Sequence, residues 1–417
     1  MSDPAPSSRA PEKPTGHADV VIVGAGQAGF QVAASLRQKR FDGSIVMVGD
    51  EPYPPYHRPP LSKAALKEGL NEATLWYRPD AFYAAQRIEE RRGVRVESID
   101  RAAKQVTLDD GSALGYGTLV LATGARARTL PPVMGVPEEA IFTLRTLDDA
   151  HALQPKLKPG VHVAVVGAGY IGLEVAASAR QLGAEVAVVD QAARAMQRTA
   201  SPTISVHFQN LHVSHGVRFQ LADTVAGVGR DPDFRAIVCE SGAELPFDIV
   251  VAGIGVTPND DLARAAGIEV EDGILADAQG RTSDPNVFAA GDCARHVHAG
   301  FAEKVRFESV QSAIDQGKVV AAAILGQGDT HSAVPWFWSD QYDAKLQVVG
   351  IPTSDCASFI KGDPASGSFA VYHMRGDDPV AVEAVNAPHD FVVARKTVGT
   401  DRPLDRETLD ALVPIST

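Results

Sequence analysis

The chain has 417 residues, of which 45% are apolar and 22% charged; this is the composition of a folded globular protein and excludes disorder for the bulk of it. Length alone suggests two or three domains, and 39 basic against 52 acidic residues leave a net charge of −13, which argues against nucleic acid or an anionic membrane as default partners. The three cysteines, Cys239, Cys293 and Cys356, form no C-x-x-C pair and fall short of a four-thiolate iron–sulfur site, so any electrons handled here must sit on a bound organic cofactor. So sparse a cysteine content fits a reducing, cytoplasmic setting.

In chain order, residues 1–17 are rich in Pro, Ser and Ala without an apolar stretch, and read as a disordered tail, not a signal peptide. VVIVGAGQAGFQVAASLRQ follows at 20–38. A near copy, VAVVGAGYIGLEVAASARQ, stands at 163–181, offset by 143 residues. Each copy runs from a short apolar strand through G-x-G-x-x-G into an Ala-rich helix. Each is followed by a second apolar strand ending in an acid, SIVMVGD at Asp50 and EVAVVD at Asp190. This is the dinucleotide-binding fingerprint twice over. The first glycine makes the tight turn, the second lets backbone N–H groups approach a pyrophosphate, the third allows close helix–strand packing, and the acid takes ribose hydroxyls. The pyrophosphate then lies at the positive end of a helix.

Between and after the copies, 94–98, 104–108, 118–124, 248–255 and 286–292 read as strands, and 307–325 has helical periodicity. Beyond about residue 330 the pattern changes to short strand-like runs at 345–349, 368–374 and 380–386, the mark of a separate C-terminal α+β module. No run of 18 apolar residues suggests a membrane span. Histidines at 207, 212 and 215, and the pair His296/His298, lack a carboxylate frame at metal-ligand spacing, so no metal site is expected.

Taken together, GAGQAG, PPLSK at 59–63, LATGARAR at 121–128, GAGYIGLE at 167–174, AGIGVTPN at 252–259, SDPNVFAAGDCA at 283–294 and PWFWSDQY at 335–342 are far more specific than either glycine motif. From about Val20 to near its C-terminus the chain resembles the FAD- and NADH-dependent reductases that feed small 2Fe–2S ferredoxins, the group of putidaredoxin reductase, ring-dioxygenase reductases and rubredoxin reductases. The resemblance implies an α/β, glutathione-reductase-like fold of two Rossmann-like domains plus a C-terminal α+β domain. FAD would be bound by 18–127 and 254–330, NADH by 128–253, and 331–417 would form the third domain.

It further implies that Gly24, Gly26, Ala28 and Gly29 contact the FAD pyrophosphate, Asp50 the adenosine ribose and Val96 the adenine. Arg128, Asp292, Val310 and Trp338 (ranked above Trp336) would complete the FAD site. Gly167, Gly169, Tyr170, Ile171, Gly172, Asp190 and Gly255 would hold NADH. Lys63 and Glu174 would pair beside the nicotinamide, with Tyr170 covering the flavin until NADH displaces it. NADH would give a hydride to FAD, and single electrons would pass to an acidic ferredoxin in a transient complex, the reductase being a monomer or weak dimer. Lys318, Lys345, Arg395 and Lys396 are the basic residues expected to meet that partner. Rubredoxin reduction, direct NADH oxidation, or flavin redox signalling in the manner of apoptosis-inducing factor are the other activities open to such a chain. The cysteine pair of the disulfide reductases is replaced here by residues 56–62, which contain no cysteine.

Overall fold

A computed structural model describes residues 16–229, 235–301, 303–328, 330 and 332–415. The first apolar run forms β1 (Gly16–Val23), buried at the centre of a seven-stranded sheet. Gly16 and His17, assigned above to the tail by composition, instead pair with Leu114 and Gly115, because the backbone of the adjacent strand extends far enough to receive them; residues 1–15 lie outside the described residues. Helix α1 (Gln27–Gln38) leads to β2 (Ile45–Gly49). The short helices α2 (Ala64–Glu68) and α3 (Asp80–Ala85) precede β3 (Ile88–Arg92), β4 (Val96–Asp100), β5 (Gln105–Leu108) and β6 (Ala113–Leu121). The sheet order is β3-β2-β1-β6-β5-β4, parallel at its centre.

The chain leaves this sheet through β7 (Ala125–Ala127), β8 (Ile141–Phe142) and α4 (Leu147–Leu153), then repeats the motif as β9 (His162–Val166), α5 (Tyr170–Gln181) and β10 (Glu185–Asp190). Next come α6 (Pro202–Ser214), β11 (Arg218–Leu221), an antiparallel trio β12 (Val225–Val228), β13 (Ala236–Cys239) and β14 (Glu244–Pro246), and β15 (Ile249–Ala252). The second sheet, β11-β10-β9-β15-β8, is parallel throughout. Near-continuous Val and Ala runs suit it, since both its faces are covered. The chain then crosses back along β16 (Val256–Pro258), antiparallel to β7, through α7 (Asp261–Ala265) and β17 (Ile274–Ala276). β18 (Val287–Ala289) rejoins the first sheet beside β6, and β19 (Ala294–His296) and α8 (Val310–Ile324) follow.

The last module is an antiparallel sheet of β20 (Trp336–Gln341), β21 (Ala344–Gly350), β22 (Ala357–Asp363), β23 (Ser368–Arg375), β24 (Asp378–Val385) and β25 (Val413–Pro414), with α9 (Pro388–Thr397) and α10 (Arg406–Asp410). One of its faces shares a core with the second module: Leu346, Val348, Phe369 and Val371 pack in one cluster with Leu173 and Phe208. The architecture is thus two dinucleotide-binding α/β modules and a C-terminal α+β module, as the resemblance implies.

Candidate functional site

The two glycine loops are built alike. Gly24 and Gly167 have φ of +109° and +108°, and a Cβ there would meet the Ala122 carbonyl oxygen at 2.1 Å or that of Gly253 at 2.4 Å. Gly29 and Gly172 bring helix onto loop: a Cβ at either would lie 2.0–2.1 Å from the carbonyl of the first glycine. The middle glycines differ. A Cβ on Gly26 would meet nothing within 4 Å, and one on Gly169 only a carbonyl at 4.0 Å. These two residues cap the N-termini of α1 and α5 without any side-chain hydrogen bond. Open space faces the unpaired N–H groups of a twelve-residue helix in both cases, which fits a pyrophosphate. Ala28 turns inward and packs against Gly291, so only its backbone can serve a ligand.

The acids that end the second strands are not equivalent. Gly24 N donates to Val48 O and Gly167 N to Val189 O, which aligns Asp190 with Gly49. Asp190 accepts the Ala168 N–H at 2.6 Å and the Ala192 N–H at 2.8 Å. Asp50 lies one residue further on, mostly exposed and 3.8 Å from Arg95. Spacing had made the two look alike; Gly49 breaks the match because any side chain there would collide with Ala25.

Between the loops, Pro59 and Pro60 open a 3₁₀ turn (Pro59–Ser62) that sets Lys63 against α5. Tyr170, Glu174 and Ser178, four residues apart, share one face of that helix. Lys63 Nζ lies 2.7 Å from Glu174 Oε2 and donates to Pro59 O at 3.2 Å. Ser62 Oγ donates to Glu174 Oε2 at 2.5 Å, and Ser178 Oγ to Ser62 O at 2.8 Å. Glu174 is 3% exposed and the Lys63 side chain 16%, so this is a largely buried ion pair whose carboxylate is further bonded by Ser62. Tyr170 opens α5, with its hydroxyl on Thr199 O and its ring edge-on to Phe337; burial pushes its phenol up.

A second network frames Asp292. Arg145 Nη2 lies 2.6 Å from Asp292 Oδ2, and Arg145 Nε donates to Ala125 O. Arg58 Nη1 donates to Arg145 O, and its Nη2 pairs with Glu51, which also accepts the Tyr56 hydroxyl. Burial works against charge at Arg58, but Tyr56 and Glu51 outweigh it and its pKa is raised. Cys293 is fully buried and bonded to the Leu121 and Ala290 carbonyls, so burial pushes its thiol up.

The remaining expected residues are placed as follows. Val96 pairs with Leu108, its side chain in the first module's core. Val310 is the first residue of α8, after the cap Ser309. Arg128 is exposed, bonded to Thr257 and, through its N–H, to Gly255 O. Gly255, at φ +94°, and half-exposed Ile171 both face open space at the second loop. Trp338 lies 5.8 Å from Trp336, whose indole N–H is buried with no protein partner. Sequence reasoning missed Ser62, Arg58, Arg145, Ser339, Gln341 and His212. The one available signal was Ser339 and Gln341, two residues apart and so on one face of the strand-like WFWSDQ run, which must find partners if buried.

Comparison with known proteins agrees with this architecture. Residues 18–317 match the pyridine nucleotide-disulphide oxidoreductase family and residues 336–414 the reductase C-terminal family. The chain belongs to the pyridine nucleotide-disulphide oxidoreductase family, among the members with that C-terminal domain. It is similar to rhodocoxin reductase of Rhodococcus erythropolis, 42% identical over 93% of this chain and 91% of the relative. It is also similar to the ferredoxin–NAD(+) reductase component of the anthranilate 1,2-dioxygenase system of Burkholderia cepacia, 44% identical over 93% and 96%. Among solved structures, the covalent putidaredoxin reductase–putidaredoxin complex matches with a TM-score of 0.89 at 39% identity, over 95% of this chain and 96% of that one. The protein is a flavin oxidoreductase whose cofactors are FAD and NADH. Among the described residues no helix is long and apolar enough to cross a membrane.

Proposed function

We propose that the protein is an NADH:ferredoxin oxidoreductase, serving a small 2Fe–2S ferredoxin that supplies an oxygenase. Bound FAD would supply the acceptor for the hydride of NADH and a centre from which electrons can leave singly. The observation that carries this reading is the largely buried Lys63–Glu174 pair at the helix that opens at the second glycine cradle, in a chain that builds such a cradle twice. The first cradle and returning segment (18–127 and 254–330) would hold FAD, with Gly24, Gly26, Gly29, Asp50, Val96, Arg128, Asp292, Val310 and Trp338 around it. The second (128–253) would hold NADH through Gly167, Gly169, Ile171, Gly172, Asp190 and Gly255, while 331–417 forms the third domain.

Lys63 would present positive charge where negative charge develops, and Glu174 fixes its position. Tyr170 excludes water from the site until the nicotinamide takes its place. A transient complex with an acidic ferredoxin fits a reductase that works in the cytoplasm as a monomer or weak dimer. Stopped-flow turnover tests the reading. NADH should bleach the flavin rapidly, and cytochrome c reduction should follow only when a 2Fe–2S ferredoxin is added. Turnover with rubredoxin alone, or fast oxidase activity without any carrier, would overturn it.

A further inference from the structure

The C-terminal sheet reaches Glu174 along a single line of hydrogen bonds. Ser339 and Gln341 lie on the face of β20 opposite to Trp336 and Trp338. Ser339 Oγ is 2.6 Å from Glu174 Oε1, and Gln341 Nε2 is 3.1 Å from Ser339 Oγ. His212 Nε2, on α6, is 2.8 Å from Gln341 Oε1, and Tyr342 OH is 3.4 Å from His212 Nδ1. Glu174, Ser339, Gln341 and His212 are each no more than 3% exposed.

Elementary donor–acceptor chemistry gives this line a direction. A carboxylate only accepts, so Ser339 donates to Glu174. Its oxygen then accepts from the Gln341 amide, whose carbonyl requires a donor. His212 therefore carries its proton on Nε2, and its Nδ1 accepts from Tyr342. Every donor points toward Glu174. Burial holds the His212 pKa down to about 4, which keeps the ring neutral as the line requires. Tyr342 sits at φ +55° in a two-residue turn, a conformation uncommon for a bulky residue, and there its ring stacks on His215 at 3.8 Å. The titratable groups facing Glu174 are Lys63 and Tyr170; those facing His212 are His215 and Tyr342.

We propose that Ser339, Gln341 and His212 are positioning residues that set how much of the Lys63 charge Glu174 leaves for the FAD ring. This rests on the reading that the Lys63–Glu174 pair lies beside that ring. Glu174 shares its negative charge among Ser62, Ser339 and Lys63. Without the Ser339 donor more of it falls on Lys63, the positive field at the ring weakens, and reduction becomes less favourable. A merely structural line would lower the melting temperature and leave the potential alone.

The test is the two-electron midpoint potential of the FAD-loaded protein, with thermal melting in parallel. Ser339→Ala and His212→Leu should each lower the potential by about 30 mV, a tenfold shift in the ratio of reduced to oxidised flavin. His212→Gln, whose amide can donate from near the Nε2 position, should recover most of the loss. Unchanged potentials in folded Ser339→Ala and His212→Leu would overturn the proposal, as would a His212→Gln value equal to that of His212→Leu. Should His212→Leu fail to fold, Gln341→Met interrupts the same line from the C-terminal sheet and is read the same way. No ferredoxin enters the measurement; a wild-type protein that takes up no FAD would instead overturn the functional reading.

Discussion

Arg145 and Asp292 meet at 2.6 Å, tying the segment before α4 to the loop that follows β18. The contact joins the segment between the two glycine motifs to the stretch in which the chain has returned to the first sheet. Asp292 is 13% exposed, so removing its partner strands a largely buried carboxylate. Arg145→Leu should cost about 2–3 kcal/mol of stability and make FAD dissociate on gel filtration. Arg145→Lys should lose less stability but also the bond to Ala125 O. Urea denaturation with and without added FAD checks both, and flavin retention equal to wild type in Arg145→Leu would contradict the role.

Asp190 is the residue expected to set the choice between NADH and NADPH. Its carboxylate is fixed at the end of β10 by the Ala168 and Ala192 N–H groups. Arg194, the nearby cation in sequence, is committed to Ala200 O, Ser205 Oγ and Gln197 O. A 2′-phosphate would therefore meet a carboxylate while the Arg194 guanidinium is held elsewhere. The ratio of kcat/KM for NADH over NADPH should be about 100-fold, on the order of 3 kcal/mol. Asp190→Ser should narrow the ratio chiefly by weakening NADH. Equal kcat/KM for both nucleotides in the wild type would count against this.

Lys63 and Glu174 should behave as one unit. Lys63→Met and Glu174→Gln are each expected to slow reduction of the flavin by about 100-fold, roughly 2.7 kcal/mol, with little loss of bound FAD. The double variant should be far less than the product of the two, because each single change leaves its partner buried and unpaired. Rapid-mixing kinetics on all four proteins measures the coupling, and strictly additive effects would separate the two residues.

How much of this was legible in the sequence depends on how local the constraint is. Gly24 and Gly167 announce themselves because only glycine fits a positive φ against a neighbouring carbonyl. Lys63 and Glu174 lie 111 residues apart, and the family motifs pointed to them where no spacing rule could. The line from His212 to Glu174 was not readable. Its members come from α5, α6 and β20, separated by 129 and 165 residues at two of its steps, and His212 alone looks like any helix histidine. Asp50 and Asp190 looked equivalent by spacing, and the one-residue offset between them has a local cause that spacing does not show: Gly49 ends the strand close against Ala25, one residue before the acid.

Acid should weaken the fold through His212. Its folded pKa of about 4 lies below the ordinary 6.5, chiefly through burial. Between these values the unfolded chain binds a proton that the folded chain does not, so stability falls as pH falls through 6.5 toward 4. The loss from this one group is about 3 kcal/mol by pH 4. Denaturation midpoints at pH 7, 5.5 and 4.5 for wild type and His212→Gln isolate it from the carboxylates common to both. Parallel pH profiles would show that His212 does not contribute.

If the partner is an acidic ferredoxin, as proposed, a chain of net charge −13 must present local positive charge to it, and the four candidate cations differ in their surroundings. Lys318 is 3.6 Å from Asp315 and Lys345 is 3.9 Å from Asp340, so each is partly offset by its neighbour. Arg395 and Lys396, both exposed, end α9, and the Arg395 guanidinium stacks 4.7 Å above the ring of Trp336, itself beside Trp338. Positive charge next to an aromatic pair is the surface best suited to receive a small acidic carrier. Arg395→Glu should raise the KM for ferredoxin about tenfold, more than Lys318→Glu does. Neither change should alter flavin reduction by NADH. Raising ionic strength should slow ferredoxin reduction, because steering is screened beyond about 8 Å at physiological salt, while ferricyanide reduction stays nearly constant. Ferredoxin kinetics insensitive to both salt and Arg395→Glu would place the docking surface elsewhere or make it mainly apolar.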